Sequence, residues 1–247
     1  EQDTTKKEFP GQSRKDIVRQ MIGIRKKFDT YKSFANAPMD SVITRKQREG
    51  AIQLHANYFP SVVLINDGNG KFTMSQLPVQ AQFSVLNGML VHDFDGDGNL
   101  DVLINGNDYG TEVNLGRYDA LNGLMLKGDG KGNFNPLSIL QSGVYIPENG
   151  KSLVGLKGNN GNFLLAASQN KGPLKIFELK RKDKIIPLAP FDEDVTVTYK
   201  SGKTQKREIG YGSSFLSQSG RFITIDSNVS SVEIKNNKGV VRKLSVQ

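Results

Sequence analysis

The chain has 247 residues, 36% of them apolar and 23% charged, a globular composition with room for one large β domain or two ordinary ones. It has no cysteine, which excludes disulfides and thiolate metal sites, and no apolar run approaches the ~18 residues of a membrane-spanning helix. The net charge of +8 is uneven: residues 1–50 carry twelve Lys/Arg against seven Asp/Glu, residues 60–150 four against ten, and residues 151–247 seventeen against eight. An acidic centre therefore lies between basic flanks. The flanks show no nucleic-acid motif and little aromatic interleaving, so a solvated Lys-rich surface is expected, with no nucleic-acid partner and no membrane span.

Residues 1–58 read as a helical segment. Ser13 and Asp16 have the spacing of a helix cap, and Ile17, Met21, Ile24 and Phe28 follow as an apolar stripe on one face. Ala37-Pro38 ends this stretch. A second helix is expected from Thr44 to Tyr58, with Ile52, His55 and Tyr58 at loosely helical spacing.

From residue 59 the chain changes to short apolar runs broken by Gly, Asn and Asp. Asn66-Asp67-Gly68-Asn69-Gly70-Lys71-Phe72 returns as Gly128-Asp129-Gly130-Lys131-Gly132-Asn133-Phe134, a period of 62 residues. The stretch from Gly88 to Asn105 corresponds in the same way to roughly Gly150 to Gln169. Such units cannot bury both faces alone and must stack.

Between the two turns lies D-F-D-G-D-G-N-L-D, residues 93–101, which has the chemistry of a calcium loop. A hard dication takes six to eight oxygens at roughly 2.3–2.6 Å. Asp93, Asp95, Asp97 and Asp101 with the carbonyl of Asn99 stand at the positions that supply them, and Gly98 can take the positive φ that turns the loop back. Asp and Gly also form ordinary turns, but four like charges exceed what a turn needs, and a bound cation relieves their repulsion. Where a helical calcium hand places its bidentate Glu, this chain has Ile104, in a run V-L-I that reads as a buried strand. The loop is therefore expected to join two strands. In the second copy its acids have become Asn and Gly, so this is expected to be the one competent cation loop.

The last stretch, residues 186–247, reads as a small antiparallel β domain. Val195, Val197 and Tyr199 alternate, and Arg221–Ile225, Val232–Ile234 and Val240–Val246 supply further strands around an Asn236-Asn237-Lys238-Gly239 turn.

The D-F-D-G-D-G-N-L-D-V-L-I segment and the N-D-G-N-G-K-F turn resemble the FG-GAP/VCBS repeats of β-propellers in integrin α-subunits and bacterial surface proteins. The resemblance covers roughly residues 59–180. It implies propeller blades over 59–185 and calcium held by Asp93, Asp95, Asp97, Asn99 and Asp101. Two units and a fragment cannot close a ring, so the resemblance further implies a C-terminal piece of a longer protein, or blades that pair with a partner chain. The stretch G-Y-G-S-S-F-L-S-Q-S, residues 210–219, with V-E-I at 232–234, resembles the ASPIC/UnbV domain that follows such repeats in cartilage acidic protein-like surface proteins. The fold expected is mainly β: a partial propeller with an N-terminal helical segment and a C-terminal antiparallel domain.

Candidates for catalysis are few. His92 should face away from Asp93 on an alternating strand, and Ser213, Ser214 and Ser217 have no neighbouring His and form no nucleophile elbow. The expectation is a non-catalytic, calcium-stabilised binding or scaffold module of an exported or cell-surface protein, engaging a protein or glycan ligand. The alternatives are a component of an outer-membrane glycan or nutrient capture or processing system, beside a transporter, and a polyanion-binding surface protein.

Overall fold

The structure, a computed structural model, describes residues 7–113 and 116–246. It divides into two compact units, residues 1–59 and 60–247. The first is made of short helices: α1 (Arg14–Gln20), α2 (Ile24–Lys27), α3 (Tyr31–Ala35) and α4 (Met39–Val42), then one 3-10 turn at Arg45–Arg48. Ser13 caps α1, its hydroxyl accepting the Asp16 N–H. The apolar stripe does not form one continuous helix. Met21 leaves helical geometry with φ −134°, and the chain restarts after Gly23. Even so, Ile17 and Ile24 meet Phe34, Ala37 and Val42 in one small core, with Met21 and Phe28 packed against it.

The helix expected from Thr44 to Tyr58 is absent. Thr44 and Gln47 form a reciprocal capping box, but it starts only the 3-10 turn, and Gly50 at φ +76° ends it. Residues 51–59 have no regular element, and His55 is exposed. Ile52 and Leu54, two residues apart, would face opposite sides of a helix. No single apolar stripe would then pay for ordering it, and both side chains are exposed.

The second unit is mainly β. Strands β1 (Val62–Gly68) and β2 (Lys71–Gln76) form a two-stranded sheet; β3 (Leu86–His92), β4 (Asp101–Gly106), β5 (Leu124–Gly128) and β6 (Phe134–Leu137) form a four-stranded meander. After the one-turn helix α5 (Ile139–Ser142), β7 (Gly150–Lys157), β8 (Phe163–Gln169) and β9 (Lys175–Glu178) make a three-stranded meander. β10 (Lys184–Pro187) pairs with β13 (Phe222–Ile225), while β11 (Asp192–Tyr199), β12 (Thr204–Glu208), β14 (Val229–Asn236) and β15 (Val241–Ser245) form a sheet in the order 12-11-14-15. Every pairing is antiparallel. Among the described residues the sheets close into no barrel or propeller ring.

Period-two patterning explains the last sheet. Val195, Val197 and Tyr199 of β11 point into a core with Val232 and Ile234 of β14 and Ile223 and Ile225 of β13. A second core gathers Leu90, Leu103, Met125, Leu153, Phe163 and Leu165 from both meanders.

The 62-residue echo appears in the hairpins β3–β4 and β7–β8. Each carries a register shift near its start, between Leu86 and Met89 in one and between Gly150 and Leu153 in the other. Gly88 is needed there, because a Cβ would lie 2.6 Å from Asn105 Oδ1 and 2.7 Å from the Leu153 nitrogen. Buried amides tie the two meanders together: Asn105 Oδ1 accepts the Gly88 N–H at 2.8 Å, its Nδ2 donates to the Ser152 carbonyl at 2.9 Å, and Asn87 Nδ2 donates to the Gly150 carbonyl at 2.8 Å. Buried polar groups satisfied in this way fix the register.

The Gly/Ser-rich stretch after β12 lies along the outer edges of β3 and β7. Ser214, Ser217 and Ser219 hydroxyls accept the N–H groups of Met89, Leu153 and Gly155 at 3.1, 3.0 and 3.1 Å. Serine hydroxyls thus stand where a neighbouring strand would supply carbonyls.

Candidate metal centre

The acidic loop joins β3 to β4, as the apolar run after it predicts. Two glycines shape it, Gly96 at φ +84° and Gly98 at φ +80°, conformations that a residue with a Cβ adopts only under strain. The carboxylates fold the loop by accepting its own N–H groups. Asp93 takes those of Gly96 at 2.6 Å and Gly98 at 2.9 Å, Asp95 that of Asp97 at 3.1 Å, and Asp97 that of Asn99 at 2.8 Å. Asp101, the first residue of β4, accepts from Phe94 across the loop and from Gly128 on β5, both at 2.9 Å. It therefore fastens the loop to the neighbouring hairpin.

Of the five residues singled out by spacing, the structure brings three together. Asp93, Asp95 and Asp101 each offer a carboxylate oxygen, and these oxygens lie within 4.8 Å of one another. Two oxygens bound to the same calcium ion are at most roughly 5 Å apart, so the spacing of the triad is compatible with a single cation. The donor set is all oxygen, as a hard cation requires. Asp93 and Asp101 are only 4% and 2% exposed. Burial pushes both carboxyls above the usual carboxylate range, overcoming the opposing pull of the N–H groups of Gly96 and Gly98 on Asp93 and of Gly128 and Phe94 on Asp101.

Lysines contact the loop at Asp95, Asp97 and Asn99. Lys127 on β5 pairs with Asp95 and reaches Asp97 at 3.1 Å. Burial raises the Asp97 carboxyl, but the Asn99 N–H and Lys127 outweigh it, and the group lies below its ordinary value. Lys203 Nζ donates to Asn99 Oδ1 at 2.8 Å and to the Gly98 carbonyl at 2.9 Å. A third base, Arg181, donates to the Asp93 carbonyl at 2.9 Å, lies 3.7 Å from the Asp93 carboxylate and forms an ion pair with Asp183. None of these three bases carries a local sequence signal. They arrive from 32 to 105 residues away along the chain.

His92 ends β3, where it pairs with Asp101 of β4, and it is buried. Its ring stacks on Phe163 at 4.5 Å and meets Phe94 edge-on at 5.1 Å. Nδ1 is 3.5 Å from Thr224 Oγ1, and the buried Nε2 has no hydrogen-bond partner among the described residues. Burial, reinforced by Arg207 and Arg181, lowers its pKa from 6.5 to about 3, so the ring is neutral near pH 7. Ser217 accepts from Leu153 and donates to the Phe215 carbonyl, which assigns it to edge covering.

Among the described residues, no helix is long and apolar enough to cross a membrane. The sequence matches no protein-family model, and no curated protein matches it.

Proposed function

We propose that this chain is a non-catalytic binding and scaffold module in which a calcium ion stiffens the β3–β4 hairpin, part of an exported or cell-surface protein that engages a protein or glycan ligand. One observation carries the metal part: three carboxylates, two of them buried, converge within the span of a single calcium ion. Asp93, Asp95 and Asp101 would hold the ion, which would supply the positive charge that buried Asp101 gets from no salt bridge among the described residues. Lys127, which pairs with both Asp95 and Asp97, would have to give way to the ion, and Asp97 would then join. The FG-GAP/VCBS and ASPIC/UnbV resemblances support the same assignment, with the two meanders as neighbouring blades of a partial propeller. Broad loops and sheet edges would then present the ligand contacts.

A second reading rests on Lys127, Arg181 and Lys203. These bases already surround the loop, and they could neutralise it with no metal at all. Calorimetric titration separates the two. A calcium loop binds one ion per chain, and Asp95→Ala with Asp97→Ala weakens binding at least about tenfold, as loss of one or two charged ligands should. Absence of heat and of binding in the parent chain would leave the self-neutralised loop.

A further inference from the structure

Between the β3–β4 hairpin and strand β12 lies a cavity of about 530 Å³, within the size range of small-molecule sites. Much of its lining is apolar. Leu100, the residue before β4, contributes, and so do Phe163, Phe222 and Ile223, which belong to or pack against the two β cores. Ser213, Gln218 and Thr224 complete the wall from the Gly/Ser-rich stretch and β13.

The charged part of the wall is basic. Along residues 205–209, Gln205, Arg207 and Ile209 are half-buried while Lys206 and Glu208 are exposed, so Arg207 stands on the inward face of the edge strand. Lys206, facing outward, is matched by Asp194 and by Glu208, the acid of the lining. Arg207 donates Nε to the neutral Gln205 Oε1 at 2.9 Å. Arg221 donates to the carbonyls of Ala189 and Asp192, whose carboxylate is taken by Arg242. Neither Arg207 nor Arg221 forms an ion pair among the described residues. Two buried nitrogens of wall residues, Arg221 Nη1 and His92 Nε2, have no hydrogen-bond partner among them either. A half-buried cation without an anion is costly, and so is a buried nitrogen without a partner. The cavity of about 560 Å³ beside the acidic loop differs, because its Lys127 and Arg181 are matched by Asp95, Asp97 and Asp183. An inward charge on an edge strand also discourages edge-to-edge pairing, but that role needs no cavity and accounts for neither Arg221 nor His92.

We propose that this cavity binds a small organic acid, an apolar body bearing one carboxylate, with the carboxylate at Arg207 and Arg221 and the body against Leu100, Phe163 and Phe222. Guanidinium and carboxylate match in planar, two-point geometry. A cleft of one sign with apolar walls also concentrates ligands of the opposite charge. The site goes beyond the scaffold reading and does not depend on calcium, because the base that contacts Asp93 is Arg181 and the one that contacts Asp95 is Lys127.

Octanoate serves as the probe and octan-1-ol as its uncharged counterpart, in calorimetric titration and in amide NMR spectra of the chain. One octanoate should bind per chain, at least about tenfold more tightly than octan-1-ol, as a hydrogen bond to a charged group implies. The amide shifts should centre on Leu100, Arg207 and Thr224. Arg207→Met should weaken octanoate at least about tenfold and leave octan-1-ol unchanged, whereas Arg207→Lys, which keeps the charge, should retain most of the binding. Absence of octanoate binding at millimolar concentration overturns the proposal. So do equal affinities for octanoate and octan-1-ol, shifts confined to residues outside the cavity, or full octanoate affinity in Arg207→Met. The octan-1-ol comparison and the shift map use the unaltered chain, so they decide the matter even if Arg207→Met fails to fold.

Discussion

The hairpins β3–β4 and β7–β8 share a register shift, a buried amide seam and a place in the 62-residue repeat, but their tips differ. In β7–β8 the strands are joined by Gly158–Asn162, closed by the Gly158 N–H donating to the Asn162 carbonyl at 2.9 Å and the Gly161 N–H to the Gly158 carbonyl at 3.0 Å. In β3–β4 eight residues, 93–100, intervene, and carboxylates accept the N–H groups that backbone carbonyls accept in the other. The comparison teaches that this fold makes the hairpin without acids. Four carboxylates are therefore an addition to the architecture, and the proposed calcium ion and the surrounding bases are the two accounts of them to be separated.

The position that starts the second strand sharpens the contrast, since Asp101 in one hairpin corresponds to Phe163 in the other. Phe163 packs between His92 and Phe222. Phe163→Ala should cost about 3–5 kcal/mol in urea unfolding, equally in calcium and in chelator. A calcium-dependent cost would mean the second hairpin is coupled to the ion and the contrast is false. Asp101→Ala strands the N–H groups of Phe94 and Gly128, and about 2–4 kcal/mol should be lost even in chelator, with calcium no longer adding stability. A neutral result in chelator would contradict the fastening role of Asp101.

Acid addresses the boundary between the two hairpins, where His92 sits. The folded ring stays neutral down to about pH 3, whereas the unfolded ring takes a proton near 6.5. The unfolded state therefore binds more protons between those values, and stability from this group is complete above about 6.5 and falls with pH below it, by at most about 1.4 kcal/mol per pH unit. In urea titrations from pH 7 to pH 4.5, His92→Phe should fall less steeply than the parent; parallel curves would show that the buried ring does not set the slope. The smallest effect expected is at Lys127. Lys127→Met removes the ammonium that competes for Asp95 and Asp97 and should tighten calcium binding several-fold; unchanged affinity would show that Lys127 yields at no cost.

The parts legible in the sequence were those with local causes. The Ser13 cap, the alternation of β11, the repeated glycine turns and the strand after Asp101 all follow from neighbours within a few residues. The helix expected at Thr44–Tyr58 is absent because the apolar residues of that stretch share no face, and Gly50 stops the turn that Thr44 starts. At the candidate site the spacing located the loop, and the structure adds that three of its carboxylates converge. Lys127 and Lys203 reach Asp95, Asp97 and Asn99 from elsewhere in the chain, and no pattern near residue 95 announces a lysine on another strand. The serines at 214, 217 and 219 likewise acquire their role only when the chain lays them along β3 and β7.

Thermal unfolding in excess calcium and in chelator tests the central claim most directly. At a calcium concentration 100 times the Kd, binding to the folded state adds about 2.7 kcal/mol, which should raise the Tm by roughly 5–10 °C for a unit of this size. The shift should vanish in the Asp95→Ala, Asp97→Ala variant. Superimposable curves for the parent chain, at calcium concentrations up to several millimolar, would contradict the account and leave the loop neutralised by its own lysines and arginine.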